Sequence, residues 1–324
     1  MTAGKFAIRF ISFILVLLAI NFVLDQSFKK FSVHNIVNNM MDQQYADYDD
    51  TLKYLAMGNS HNCINTHILD QSFNYGSPSE NFIQTYYKLR HVLEGPGQKP
   101  EYLLLQTDIS SFGPKISGRF EYNSYWIRYI DYFELARIKG SRDMLTKWLE
   151  GRFFSYVGNY KDIQLSILYR IKIKKLEMYR GYRLHRDYRN FANEANKQKV
   201  AQNKARLVLS REAYFDPAIR IYFEKILQLC QSHGVHVLLI RFPMVREFYE
   251  EEARIVPAAR LYGEVEAIAS RYPVYEGTCD YHELYFDRPD YFFDPDHLNI
   301  RGSDLFTARL ADDLKGPRSA GFPE

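Results

Sequence analysis

The sequence predicts an α/β fold: a parallel sheet covered by helices on both faces, carried behind an apolar N-terminal helix and interrupted by a large, mostly helical insertion. Three observations lead there. Strand-compatible segments near Tyr54, Phe73, Leu103, Val237 and Val274 alternate with helix-compatible segments near Ile64, Ile83, Ile226 and Val265, the order that a crossover-connected sheet requires. An almost unbroken apolar stretch precedes them all. A third region, about 110–215, is too long for a single crossover and is not low-complexity.

In chain order, Phe10 to Leu24 is almost unbroken apolar sequence, interrupted by Asn21, and extending the run back to Phe6 gives about the length that crosses a bilayer, with Arg9 placed to snorkel. No small-x-small cleavage site follows, so residues 1–25 read as an uncleaved signal anchor; the alternative is a buried amphipathic helix. Lys5 and Arg9 lie before the segment and Lys29 and Lys30 after it, so charge alone does not set the orientation. Residues 26–51 read as a polar, partly helical stalk, 52–316 as the α/β domain with its insertion at about 110–215, and 317–324 as a tail.

A chain of 324 residues with 46% hydrophobic content can bury a full core. Its three cysteines, Cys63, Cys230 and Cys279, are too few and too scattered for a disulfide framework or a zinc site. No P-loop, dinucleotide fingerprint or metal-ligand cluster is present, so neither a cofactor nor a metal is expected.

Two short motifs carry chemistry. Tyr54-Leu55-Ala56-Met57 reads as a buried strand broken by Gly58-Asn59, with Ser60 at the junction and a helix-compatible stretch through Leu69. A serine there lies outside the carboxyl end of a strand, where open α/β sheets hold ligands. Far downstream stands Asp294-Pro295-Asp296-His297-Leu298-Asn299, in which Asn299 can cap a helix over 300–314. A serine hydroxyl is a weak nucleophile that needs a base and a group to orient the base. Ser60 is expected to attack, His297 to act as base and Asp294 to orient it, with Asp296 pointing elsewhere. His61 either touches substrate or is a structural neighbour of the serine. Cys63 reads as a small buried residue rather than a second nucleophile, and His67 as structural.

The Gly-x-Ser block near the domain start and the Asp-x-x-His block before its last helix resemble the SGNH (GDSL-like) hydrolase superfamily. That resemblance implies a flavodoxin-like three-layer α/β/α fold and an oxyanion hole made by the serine N–H, a glycine N–H and an asparagine side chain. Gly76, in Asn74-Tyr75-Gly76, matches the glycine block. The third block departs from the pattern, because Gln106-Thr107-Asp108-Ile109 follows Tyr102-Leu103-Leu104-Leu105 where the family has Gly-x-Asn-Asp. An ionised Asp108 donates no hydrogen bond and opposes a developing oxyanion, so the hole rests on the Ser60 and Gly76 N–H groups unless Asp108 is protonated or turned away.

The insertion concentrates the positive charge, with 21 Lys and Arg against 9 Asp and Glu between Lys115 and Arg206, in a chain whose net charge is +3. Its aromatics include Tyr122, Tyr125, Trp126, Tyr129, Tyr132 and Phe133, then Phe153, Phe154 and Tyr156. Such a surface suits membrane lipid headgroups or an anionic glycan, with Trp126, Arg128 and Tyr129 as candidate substrate contacts; the plain alternative is a helical cap with a small core of its own. An anchored chain makes nucleic acid an unsuitable partner.

Membrane-anchored SGNH-like proteins of alginate O-acetylation and D-alanyl transfer work outside the cytoplasm on cell-envelope polymers, often beside a multi-spanning acyltransferase of the MBOAT type. The resemblance therefore implies a single-pass, extracytoplasmic serine O-acyltransferase that passes an acyl group, such as acetyl, to a glycan hydroxyl. An envelope esterase using the same triad and a non-catalytic scaffold for an MBOAT partner are the alternatives.

Overall fold

A computed structural model describes residues 3–117, 123–157, 159, 164, 178–183, 190–210 and 214–316. The expected tail at 317–324 and parts of the expected insertion lie outside the described residues. The chain forms two compact units, Met1–Met40 with Phe120–Leu176, and Met41–Arg119 with Glu177–Glu324.

The larger unit is built on a five-stranded parallel sheet. Its strands are β1 (Tyr54–Met57), β2 (Ser72–Asn74), β3 (Tyr102–Gln106), β4 (His236–Arg241) and β5 (Tyr275–Asp280), in the spatial order β2-β1-β3-β4-β5. The sequences YLAM, YLLLQ and HVLLIR do not alternate polar with apolar because both faces of these strands are covered. Leu55 lies between Phe73 and Leu103, and Leu104 pairs with Leu238, so the apolar runs are in register across the sheet.

Residues two apart share a face. Tyr54, Ala56, Tyr102, Leu104, Leu238 and Ile240 pack with Ile64, Leu69 and the terminal helix residues Phe306 and Leu310. The helix supplying that layer is the terminal helix α8 (Ile300–Asp313), started by the Asn299 side chain, which accepts from Gly302 N–H. On the other side, α3 (Phe82–Glu94) packs on α7 (Pro217–His233), which in turn packs on β4. A capping box formed by Asn81 and Gln84 starts α3; Asp216 and Pro217 start α7, and Gly234 ends it in the left-handed conformation.

The helix expected near Ile64 is absent. Residues 60–71 form successive turns instead, held by Asn65 N–H donating to Thr307 Oγ1 and by the Asn65 and Asp304 side chains. An Asn side chain that bonds nearby groups competes with helix formation, and the Asn65 Oδ1 accepts from His67 N–H at 2.9 Å here.

In the smaller unit, α1 (Ala3–Phe31) is, among the described residues, the one helix long and apolar enough to cross a membrane. It continues seven residues past Leu24 into the expected stalk, and α2 (Val33–Ala46) follows. The helices α4 (Tyr132–Lys139) and α5 (Asp143–Phe153) pack on each other. Asp131 caps α4 and Gly140 ends it in the left-handed conformation.

Candidate functional site

The carboxyl ends of β1, β3 and β5 lead to Ser60, Asp108 and His282. After β1 the chain turns through Gly58, whose φ is +153° and where an added Cβ would lie 2.5 Å from Gln106 Cβ. Only a glycine lets the two strand ends approach this closely. The Gln106 amide then clamps the turn: its Oε1 accepts from Asn59 N–H at 2.8 Å and its Nε2 donates to Asn59 Oδ1 at 2.9 Å. That clamp presents Ser60, which is exposed.

His297 arrives from a separate turn. Phe292–Asp294 and His297–Leu298 form a short antiparallel pair in which Asp294 faces His297, and Val245 N–H holds the turn by donating to the Pro295 carbonyl at 3.0 Å. His297 Nε2 lies 2.8 Å from Ser60 Oγ. On its other side Nδ1 donates towards Asp294 Oδ1 at 2.8 Å and Asp296 Oδ1 at 2.9 Å. Because Nδ1 carries the proton, Nε2 is left as the acceptor for the serine hydroxyl.

The expectation that Asp296 points elsewhere is therefore corrected. Residues 294–297 close too tightly for the two carboxylates to diverge, so both reach the same imidazole nitrogen. They differ in setting: Asp294 is partly exposed, whereas Asp296 is buried. Lys204, on α6 (Lys197–Val208), lies 3.2 Å from Asp294 and 3.0 Å from Asp296 and offsets part of their charge.

Behind the triad runs a second row of ionisable groups. His61 Nε2 lies 3.1 Å from Asp296 Oδ2, and its Nδ1 donates to Asp108 Oδ2 at 3.0 Å. Asp108 Oδ1 accepts from Phe242 N–H at 2.9 Å, and His282 Nε2 lies 3.6 Å from the same oxygen. The Tyr262 hydroxyl is 3.2 Å from His282 Nε2. From Ser60 the row runs His297, Asp296, His61, Asp108 and His282, in alternating imidazoles and carboxylates.

Their charges follow from that alternation. Burial opposes an imidazolium at His61, but Asp296 and Asp108 on either side outweigh it and push His61 up to about 10. Burial likewise opposes ionisation of Asp108, yet the neighbouring His282 and His61 hold its carboxyl well below the usual range. Asp296 is also held well below it, because burial is overcome by His297 and His61. His297 is raised, burial being outweighed by Asp296 and Asp294. Burial pushes the Glu252 carboxyl, at the back of this cluster, up to about 8.

These environments correct two expectations. Asp108 is buried behind the triad as an ionised acceptor shared by two histidines, so it is turned away from any oxyanion. His61 is fixed between two carboxylates and does not line the cavity described next. In the smaller unit, Trp126 is buried against Tyr125 and Tyr129, so it has no surface to offer a substrate. Arg128 there stacks on Tyr125 and Tyr129 and bonds Asn39.

A cavity of about 350 Å³ opens on Ser60 and His297, within the range that holds a small ligand. Asn62 and Gly76 line it too, and an added Cβ on Gly76 would meet Asn62 Nδ2 at 2.9 Å, which places the Asn62 amide directly over the Gly76 backbone. Both polar atoms of that amide are buried without a protein hydrogen bond. Apolar walls come from Phe293, Leu298 and Ile300. A roof comes from the hairpin pairing Met178–Tyr179 with Tyr182–Arg183, whose Arg180 carbonyl accepts from Asn74 N–H at 2.9 Å. Cys63 also lines the cavity, but burial pushes its thiol up to about 12, so it is not a second nucleophile.

Sequence reasoning missed Asn62, Lys204, His282 and the hairpin. The signal for His282 was present, since it follows β5 as Ser60 follows β1. Neither Lys204 nor the hairpin has a local signal. Neither the protein-family models nor the curated proteins searched match this chain.

Proposed function

We propose that this chain is a membrane-anchored serine O-acyltransferase of the SGNH type, with its catalytic domain outside the cytoplasm and a cell-envelope glycan hydroxyl as acceptor. The observation that carries the reading is the 2.8 Å approach of Ser60 Oγ to His297 Nε2 while carboxylates hold Nδ1. Supporting it are the 2-1-3-4-5 strand order, the position of Ser60 after β1, and an apolar helix of spanning length.

In the first half-reaction the Ser60 proton passes to His297 Nε2 as Oγ bonds to the acyl carbon of an ester or thioester donor. The carbonyl electrons move onto oxygen, then return as the bond to the leaving oxygen or sulfur breaks, and His297 gives that atom the proton. In the second half-reaction the acceptor hydroxyl gives its proton to His297, bonds to the acyl carbon and releases Ser60 Oγ, which recovers the proton. The transient oxyanion is met by the Ser60 N–H and by the Asn62 amide, which takes the place that Asp108 cannot fill; the Gly76 N–H donates to Asn74 Oδ1 at 3.2 Å and must leave it to join them. The serine is exposed, which also favours a second reading in which water is the acceptor and the chain is an envelope esterase.

A fluorophosphonate should label wild-type protein on Ser60, and Ser60→Ala should lose both labelling and acyl turnover, about 10⁴-fold or more if the triad acts as a unit. Labelling elsewhere, or full turnover by a folded Ser60→Ala protein, removes Ser60 from the mechanism. Acyl-glycan against free acid as product separates transfer from hydrolysis.

A further inference from the structure

Asn21 is a strongly polar side chain near the end of the apolar run of α1, and the smaller unit shows how it is accommodated. Its side-chain amide donates to the Phe153 carbonyl at 3.0 Å, and its carbonyl accepts from the Tyr156 hydroxyl at 2.9 Å. One turn along, Asp25 accepts from the Ser155 N–H at 2.9 Å and the Ser155 hydroxyl at 2.6 Å, and Lys29 donates to the Arg152 carbonyl at 2.7 Å. Three successive turns of α1 are thus bonded to the end of α5 and the turn that follows it.

These bonds fix depth. At 1.5 Å per residue, the run from Phe6 to Leu24 is about 28 Å long, close to the hydrocarbon thickness of a bilayer, and Asn21 lies about 4 Å inside its end. Whatever is bonded to Asn21 lies level with that end. Apolar side chains there face outward: Phe153 is 46% exposed, Phe154 44% and Val157 53%, with Leu149 exposed one helical turn before Phe153; Arg152 is exposed among them, with a side chain long enough to reach the headgroups. Trp148 stacks between Phe153 and Phe133, the latter also exposed. On a water-facing surface this patch would be costly, whereas beside a spanning helix it continues the helix's own apolar surface.

We propose that Leu149–Val157 is a membrane-embedded collar around α1, with Leu149, Phe153, Phe154 and Val157 inserted among the lipid chains just below the headgroups. The proposal rests on the reading of α1 as a membrane anchor. It gives Asn21 a purpose, since a polar side chain at that depth is tolerated when protein groups satisfy it. It also makes the smaller unit a two-point attachment, in which a spanning helix is held upright by an interfacial wedge.

The test uses the full chain in phosphatidylcholine vesicles with a photoactivated carbene probe dissolved in the lipid, read by peptide mass spectrometry. Adducts are expected on the α1 peptides and on the peptide holding Phe153, Phe154 and Val157. Adducts on α1 with none on the collar peptide overturn the collar and leave the anchor; adducts on neither overturn both. As a second measurement, Trp126→Phe leaves Trp148 as the only tryptophan. Phosphatidylcholines brominated near the top of their chains should then quench it at least about twofold more than those brominated near the end, since interfacial side chains sit about 5–10 Å into the boundary. Quenching by aqueous iodide alone overturns the proposal. Phe154→Glu with Val157→Glu should remove the collar adducts and leave those on α1.

Discussion

At the scale of single residues, Asn62 separates a catalytic from a structural role. A buried amide with no protein partner costs stability, about 1–3 kcal/mol, so removing it should leave the fold as stable or more so. If it meets the oxyanion, Asn62→Ala should lower kcat on a small activated ester about 10²-fold or more with little change in KM. A lowered melting temperature with unchanged kcat would assign Asn62 to structure. His297 supplies a second prediction. Proton removal from Ser60 requires neutral His297, and Asp296 and Asp294 raise its pKa against the opposing effect of burial. Activity should therefore fall as pH drops through a value above the ordinary 6.5 of histidine. An acidic limb at or below 6.5 in kcat/KM, which reports the free enzyme, would contradict the ionic surroundings described for His297.

At the scale of elements, the hairpin over β2 depends on Gly181. Its φ is +78°, and an added Cβ would lie 1.8 Å from the Asn74 carbonyl oxygen. Gly181→Ala must lift the hairpin and break the bond from Asn74 N–H to Arg180, which should destabilise the protein by about 2 kcal/mol. Because Gly181, Tyr182 and Arg183 line the cavity, KM for an ester should rise as well. Denaturant titration with steady-state kinetics checks both, and an unchanged KM would mean that the roof does not touch substrate. Elements also explain what the sequence made legible. Strands β1, β3 and β4 announce themselves through apolar runs, and Gly58-Asn59-Ser60 and Asp294-Pro295-Asp296-His297 each follow such a signal or precede a capped helix, so the meeting of Ser60 and His297 was open to inference. The choice between Asp294 and Asp296 was not, since it depends on how Val245 pins Pro295. Lys204 stands 90 residues from Asp294 along the chain, and no periodicity relates them. The turns at 60–71 replace the expected helix because a helix-compatible composition is overruled by Asn65, whose backbone and side chain bond to Thr307 and Asp304 of the terminal helix.

At the scale of the whole molecule, the row of imidazoles and carboxylates ties stability to pH. His61 is pushed up to about 10 in the folded chain, against 6.5 when unfolded. Its raised value means that the stabilisation is complete below 6.5 and is lost as pH rises from there through about 10. Asp108 and Asp296 are lowered, so their contribution is present above about 4 and is lost as pH falls further. The melting temperature of wild type should exceed that of His61→Gln most clearly between about pH 4 and 6.5, with the gap narrowing towards pH 10. A gap that is constant from pH 6 to 10 would show that His61 is not held as an imidazolium.

The attacking serine and its base stand 237 residues apart in the chain, one after the first strand and the other just before the last helix. The two side chains come together only when the segment holding His297 docks, after most of the polypeptide has been made. In the proposed mechanism Ser60 therefore stays without its base until the fold is nearly complete, and order of synthesis alone delays its reactivity.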